Sequence, residues 1–138
     1  MRTALLVCLA LACGHAQNKD IVPPEIQHQL AELDIGPDKL HLDRTPAVTR
    51  LIELGEPALV PLYDHLDHPD HLHRKRAQRA VEGITRRSFG FDGEAWPAGA
   101  LERWSAWWTA IGYDAEAEPA ARSAAIARLR DWNRSRTP

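Results

Sequence analysis

Apolar residues along this chain recur at intervals of three and four rather than two, the spacing of amphipathic helices. Pro23 and Pro24 can start a first helix whose Ile26, Leu30 and Leu33 share one face, and Gly36-Pro37 stops it. Leu40-His41-Leu42 reads as a short connector. Asp43 or Thr45 is placed to cap the next helix, Pro46 falls at its first position, and Val48, Leu51, Ile52 and Leu54 form its stripe. Gly55 lies just past its end, where a left-handed residue is favoured. Glu56-Pro57 opens a further helix carrying Ala58, Leu59, Leu62, Tyr63 and Leu66, with a kink expected at Pro61. Asp67-His68-Pro69-Asp70 forms a tight turn, and Asp70 or a neighbour caps a helix with Ala77, Ala80, Val81 and Ile84 on one face. Loops this short make these three helices antiparallel neighbours.

Beyond Ile84 the pattern loosens. Thr85 to Trp96 reads as a loop containing Gly90 and Gly93. A helix follows from Gly99 to Ile111, with Leu101, Trp104, Trp108 and Ile111 at helical spacing and Trp107 about one residue off that stripe. A last helix spans about Glu116 to Asn133, with Ile126, Leu129 and Trp132 on one side. The expected fold is all-α.

The first residues follow a different logic. Met1-Arg2 supplies one positive charge, and Ala4 to Ala12 is almost wholly apolar, too short to span a bilayer. Small residues follow at two cleavage points, Ala10-Leu11-Ala12 before Cys13 and Gly14-His15-Ala16 before Gln17. The first resembles a bacterial lipoprotein signal, which implies lipidation of Cys13. The expected location is then outside the cytoplasm, as a periplasmic protein or an outer-membrane lipoprotein. The two cysteines, Cys8 and Cys13, both lie at this leader, so neither cleavage product can form an internal disulfide. The organisation read from the sequence is a signal peptide over 1–16, an N-terminal helix and connector over 17–42, a helical repeat region over 43–88, and a loop with Trp-rich capping helices over 89–138.

Leu51 to Ile84 resembles a HEAT repeat of the group that includes phycobilisome-lyase repeats. The matching features are Leu54-Gly55-Glu56-Pro57-Ala58, the Asp67/Asp70 turn, and Arg74 followed by Ala77, Ala80 and Val81. Ser88-Phe89-Gly90-Phe91-Asp92 is similar to the Phe-Gly-aromatic-Asp tail that follows such repeats. His73 departs from the family's aliphatic preference, and Arg76 and Arg79 crowd a stretch usually richer in alanine. The resemblance implies a short α-solenoid fragment that docks a protein partner. A single repeat cannot bury its own face, so the flanking helices must act as atypical caps.

Composition narrows the function classes. The 138 residues are 44% hydrophobic and carry a formal net charge of −2, with a sequence pI near 6.4, so no excess of charge argues for nucleic acid or an anionic membrane surface. A membrane role is expected only through the N-terminal lipid. Seven histidines are the unusual feature, and His65, His68, His71 and His73 cluster around the turn beside Asp64, Asp67 and Asp70. Imidazole and carboxylate are Zn²⁺ or Cu²⁺ ligands, although the spacing matches no standard metal motif. The same cluster could sense pH near the ordinary imidazole value. The competing reading is a solvated turn between helices.

Five tryptophans (Trp96, Trp104, Trp107, Trp108 and Trp132) read chiefly as capping core, or else as a stacking platform for sugar or peptide. Arg74, Arg76 and Arg79, with Trp107, form a candidate interaction surface. No serine sits in a nucleophile elbow, no Gly-rich phosphate loop occurs, and no cofactor is implied. The expectation is therefore a non-catalytic interaction module. The alternatives are a His-rich metal-binding or pH-responsive envelope protein and, after it, a Trp-based sugar- or peptide-binding module.

Overall fold

The structure, a computed structural model, describes residues 21–35 and 43–137. The leader, Cys13 and the Gly36 to Leu42 stop and connector lie outside the described residues. The protein is all-helical, with six α-helices and no strand among the described residues.

Helix α1 (Pro24–Ala31) begins with a proline at its first turn, where a missing N–H costs no helical hydrogen bond. It continues as a single 3₁₀ turn, Glu32–Asp34. Ile26, Leu30 and Leu33 are buried, as their spacing predicts. Helix α2 (Pro46–Leu54) is capped by Thr45, whose hydroxyl accepts the Val48 N–H at 3.3 Å. Of its apolar residues Val48 and Leu51 are buried, while Ile52 and Leu54 are partly buried against the core. Gly55 ends α2 at φ 77°, a conformation that side-chain-bearing residues rarely adopt.

The kink expected at Pro61 takes the form of a junction. Glu56–Ala58 is a 3₁₀ turn, and helix α3 (Leu59–His65) starts after it. Pro61 thus falls in the first turn of α3, where N–H groups have no intrahelical acceptor. Leu59, Leu62, Tyr63 and Leu66 are fully buried. Asp70 caps helix α4 (His71–Ser88), accepting the His73 N–H at 2.9 Å. Helix α4 runs one turn past the expected end at Ile84. Thr85 is fully buried and its hydroxyl receives the Trp104 indole N–H at 3.2 Å, so the polar run after Ile84 is held in the helix.

Helix α5 (Ala100–Ile111) lies between Gly99 and Gly112, both left-handed. Its inward face is Ala100, Trp104 and Ile111, whereas Leu101, expected on that stripe, is 46% exposed. Helix α6 (Pro119–Arg136) begins at a proline and buries Ala125, Ile126 and Leu129.

Helices α2 and α3 both pack on α4, α1 packs on α2, and α6 packs on α3 and α5. The core is one cluster of side chains drawn from α1 to α6. No described helix is long and apolar enough to cross a membrane.

Candidate functional site

The 3₁₀ turn after α1 is anchored by two contacts. Leu33 is fully buried, and its carbonyl accepts a hydrogen bond from the Arg76 guanidinium of α4 at 2.7 Å. The next residue, Asp34, is thereby set against the start of α4. Its Oδ1 lies 2.5 Å from His73 Nδ1. On the far side of the same ring, His73 Nε2 lies 2.8 Å from Nδ1 of His65, the last residue of α3. His68, in the turn, stacks on His73 with ring centroids 3.8 Å apart. Ligand atoms of Asp34, His68 and His73 all lie within 4.8 Å of one another.

Of the four histidines singled out by sequence, three therefore converge and His71 does not, being exposed at the first position of α4. Asp34 is the member that sequence reasoning missed. It lies 39 residues from His73 along the chain, and only the packing of α1 brings it there.

Burial differs sharply across the cluster. The His73 side chain is 5% exposed and the Asp34 side chain 63%. Burial, reinforced by the neighbouring His73 and His68 rings, holds the His65 imidazole below its ordinary value. The hydrogen bonds assign the tautomers. His73 Nδ1 faces a carboxylate, so it carries the proton and leaves Nε2 as acceptor for His65 Nδ1–H. His68 Nδ1 accepts the Asp70 N–H at 3.1 Å, which places its proton on Nε2. A carboxylate and two imidazoles thus form one hydrogen-bonded chain from solvent into the seam between α3 and α4.

The arginines expected at a docking surface are placed differently. Arg74 is 8% and Arg76 3% exposed. Arg74 Nε donates to Ala115 O at 2.7 Å, and its Nη1 donates to His68 O and Pro69 O at 2.7 and 2.8 Å. This residue stitches the histidine turn to the loop between α5 and α6. A guanidinium suits that task, because its fixed fork of donors matches carbonyls that the turn leaves unpaired. Arg79 is the solvent-facing member, and it pairs with Asp43 at 2.5 Å and Glu82 at 3.0 Å. Trp107 is half-buried between Phe89 and Trp132, with centroids at 5.3 and 4.5 Å. Trp104 and Trp108 stack at 6.2 Å, and Trp96 continues the series at 6.0 Å from Trp104. The tryptophans thus pack chiefly on one another and on the C-terminal helices.

A second surface feature lies at the start of α3. Ile21, Val22, Pro23, Pro57, Val60 and Pro61 line a groove of about 400 Å³ together with Glu56 and Asp64. Ile21 is 78% and Val60 48% exposed.

No family model, curated protein or solved structure matches the chain.

Proposed function

We propose that the chain is a non-catalytic, HEAT-like helical-repeat module that docks a protein partner outside the cytoplasm, with a lipid on Cys13 as its tether. The observation that carries the docking reading is the groove beside α3. Single apolar side chains on a surface need no explanation, but a contiguous apolar strip marks an interaction site. Ile21 and Val60, two of the four large apolar residues exposed among the described residues, line this one strip. Glu56 and Asp64 are its charged members. The Glu56 carboxyl is held below the usual range by the Ser88 hydroxyl and then by Arg136, so it stays negative at neutral pH. Glu56 pairs with Arg136 and Asp64 with Arg130, each at 2.6 Å, so these charges are balanced within the fold and the partner that fits is an extended or helical segment with apolar side chains.

This reading moves the docking surface away from Arg74, Arg76 and Trp107, whose contacts lie within the fold. The HEAT-like part of the reading is supported by α2 and α3 packing on α4, by the Leu54 to Ala58 signature lying at the α2–α3 junction and by the Arg74 to Val81 signature lying within α4.

A photo-reactive side chain at Val60, introduced in the producing cell, tests the groove. A discrete protein adduct is expected, lost when Ile21→Asp is added and absent from a probe at Glu102 on α5. Equal adducts at both positions, or none at Val60, would sink the groove reading. The intact mass of the mature product tests the tether. A diacylglyceryl Cys13 supports it, whereas a start at Gln17 removes the lipid and an uncleaved Met1 removes export.

A further inference from the structure

The histidine cluster is not used by that docking surface, and its geometry has its own consequence. We propose that Asp34, His68 and His73 form a Zn²⁺ site in which His65 orients His73.

The donor set comes first. One carboxylate oxygen and two imidazoles suit Zn²⁺, and three protein ligands leave a fourth tetrahedral position for water. That open position matches the exposure, since Asp34 faces solvent while His73 is buried beneath it. An ion can enter from the Asp34 side, and the site is accessible rather than sealed.

Distances come next. Zn²⁺ with bonds of about 2.0–2.2 Å holds tetrahedral donors about 3.3 Å apart. The Asp34–His73 pair, now sharing a proton at 2.5 Å, opens by under about 1 Å when an ion replaces that proton. The third donor, already within 4.8 Å, closes by up to about 1.5 Å. His68 now stacks face to face on His73, so its ring must also turn out of that stack to aim an in-plane lone pair at the ion; its partly exposed turn leaves room for this, as the exposed turn does for the adjustment of Asp34.

The protons balance. Binding through His73 Nδ1 needs a lone pair there, so the His73 proton must reside on Nε2. It then donates to His65 Nδ1, and the His65 proton moves to its own Nε2. Each ring keeps one proton, and the two tautomers change together. His65 thereby becomes the acceptor for the second N–H of a metal-bound imidazole, the arrangement that fixes ligand orientation at zinc sites. Its pairing with His73 at 2.8 Å is already in place. His68 already carries its proton on Nε2, so it can ligate through Nδ1 by releasing the Asp70 N–H, which water can satisfy at this exposed turn. The ion would join the turn after α1, the α3–α4 turn and the first turn of α4.

Calorimetric titration of the purified, chelator-stripped protein with Zn²⁺ tests the site, and Co²⁺ absorption in the visible range reports a tetrahedral environment. One ion per chain is expected. Asp34→Ala and His68→Ala each weaken binding by at least tenfold, and His65→Ala weakens it by about 10–100-fold. His71→Ala leaves it unchanged. Asp34 and His68 lie at the surface of the cluster, so these variants keep the helical signal in circular dichroism, and His73→Ala is not needed to decide. Because Val60 and Ile21 lie outside the cluster, loss of cross-linking there leaves this result untouched. Unchanged affinity in both Asp34→Ala and His68→Ala would overturn the proposal, as would an equal loss in His71→Ala.

Discussion

Gly83 lies where α4 passes against α2. A Cβ built there would sit 2.4 Å from Ile52 Cδ1, 2.6 Å from Cγ1 and 3.2 Å from Cγ2. Two effects of Gly83→Ala oppose each other. In a free helix the change stabilises by about 0.8–1.0 kcal/mol, because glycine gives up more backbone entropy. Forcing a methyl group into a packed seam costs about 1–3 kcal/mol. The contacts decide which wins. Cδ1 alone could swing aside, but Cγ1 and Cγ2 are the branch atoms of a β-branched side chain that strongly prefers one χ1 rotamer in a helix. Relief therefore requires α2 itself to move. The net expectation is a loss of about 1–2 kcal/mol. In an Ile52→Ala background the obstacle is gone, and Gly83→Ala should stabilise by up to about 1 kcal/mol. Urea unfolding of the four proteins, followed by circular dichroism, closes this double-mutant cycle. If Gly83→Ala stabilised the parent protein, or cost the same in both backgrounds, the close approach of α2 and α4 would be refuted.

Two other substitutions probe the seams around the site. Tyr113 is buried, its hydroxyl donates to Leu66 O at 2.6 Å, and burial pushes its phenol up to about 12. Tyr113→Phe leaves that carbonyl without this donor and should cost about 1–3 kcal/mol in the same urea assay, whereas a change within error would mean the bond contributes nothing net. Glu56, beside Ser88 and Arg136, and Asp43, beside Arg79, have folded-state values lowered from 4.5 and 3.8. Lowered carboxylates stabilise fully above their unfolded values, and that contribution is lost as pH falls through the folded ones. Thermal midpoints should therefore drop from about pH 5 downward, with a shallower slope in Glu56→Gln, and an unchanged slope would remove Glu56 from the acid response.

The elements that sequence makes legible are those with local signals. Pro24 and Pro46 mark helix starts, Thr45 and Asp70 cap them, and the spacing of Leu59, Leu62, Tyr63 and Leu66 names a buried face. What escapes is set by partners far along the chain. Thr85 to Ser88 reads as loop because it is polar, yet Thr85 is held by Trp104, nineteen residues on. Arg74 and Arg76 look like surface charge because nothing local shows the carbonyls of Ala115 and Leu33 that they satisfy. Leu101 looks like core by hydropathy, but the helix faces inward through Ala100 and Trp104. The candidate site divides the same way. Its histidines stand close together in the sequence, and its carboxylate arrives only with the packing of Leu33.

The most direct measurement is the two-bond ¹⁵N–¹H spectrum of the histidine side chains, taken without metal and then with one equivalent of Zn²⁺. The metal-free protein should show His65 and His73 protonated on Nδ1 and His68 on Nε2. Zinc should move both His65 and His73 to the Nε2–H tautomer, shift the His68 Nδ1 resonance, and leave His71 and His28 where they were. A spectrum in which His71 responds with His68, or in which His65 and His73 keep their tautomers, would contradict the account.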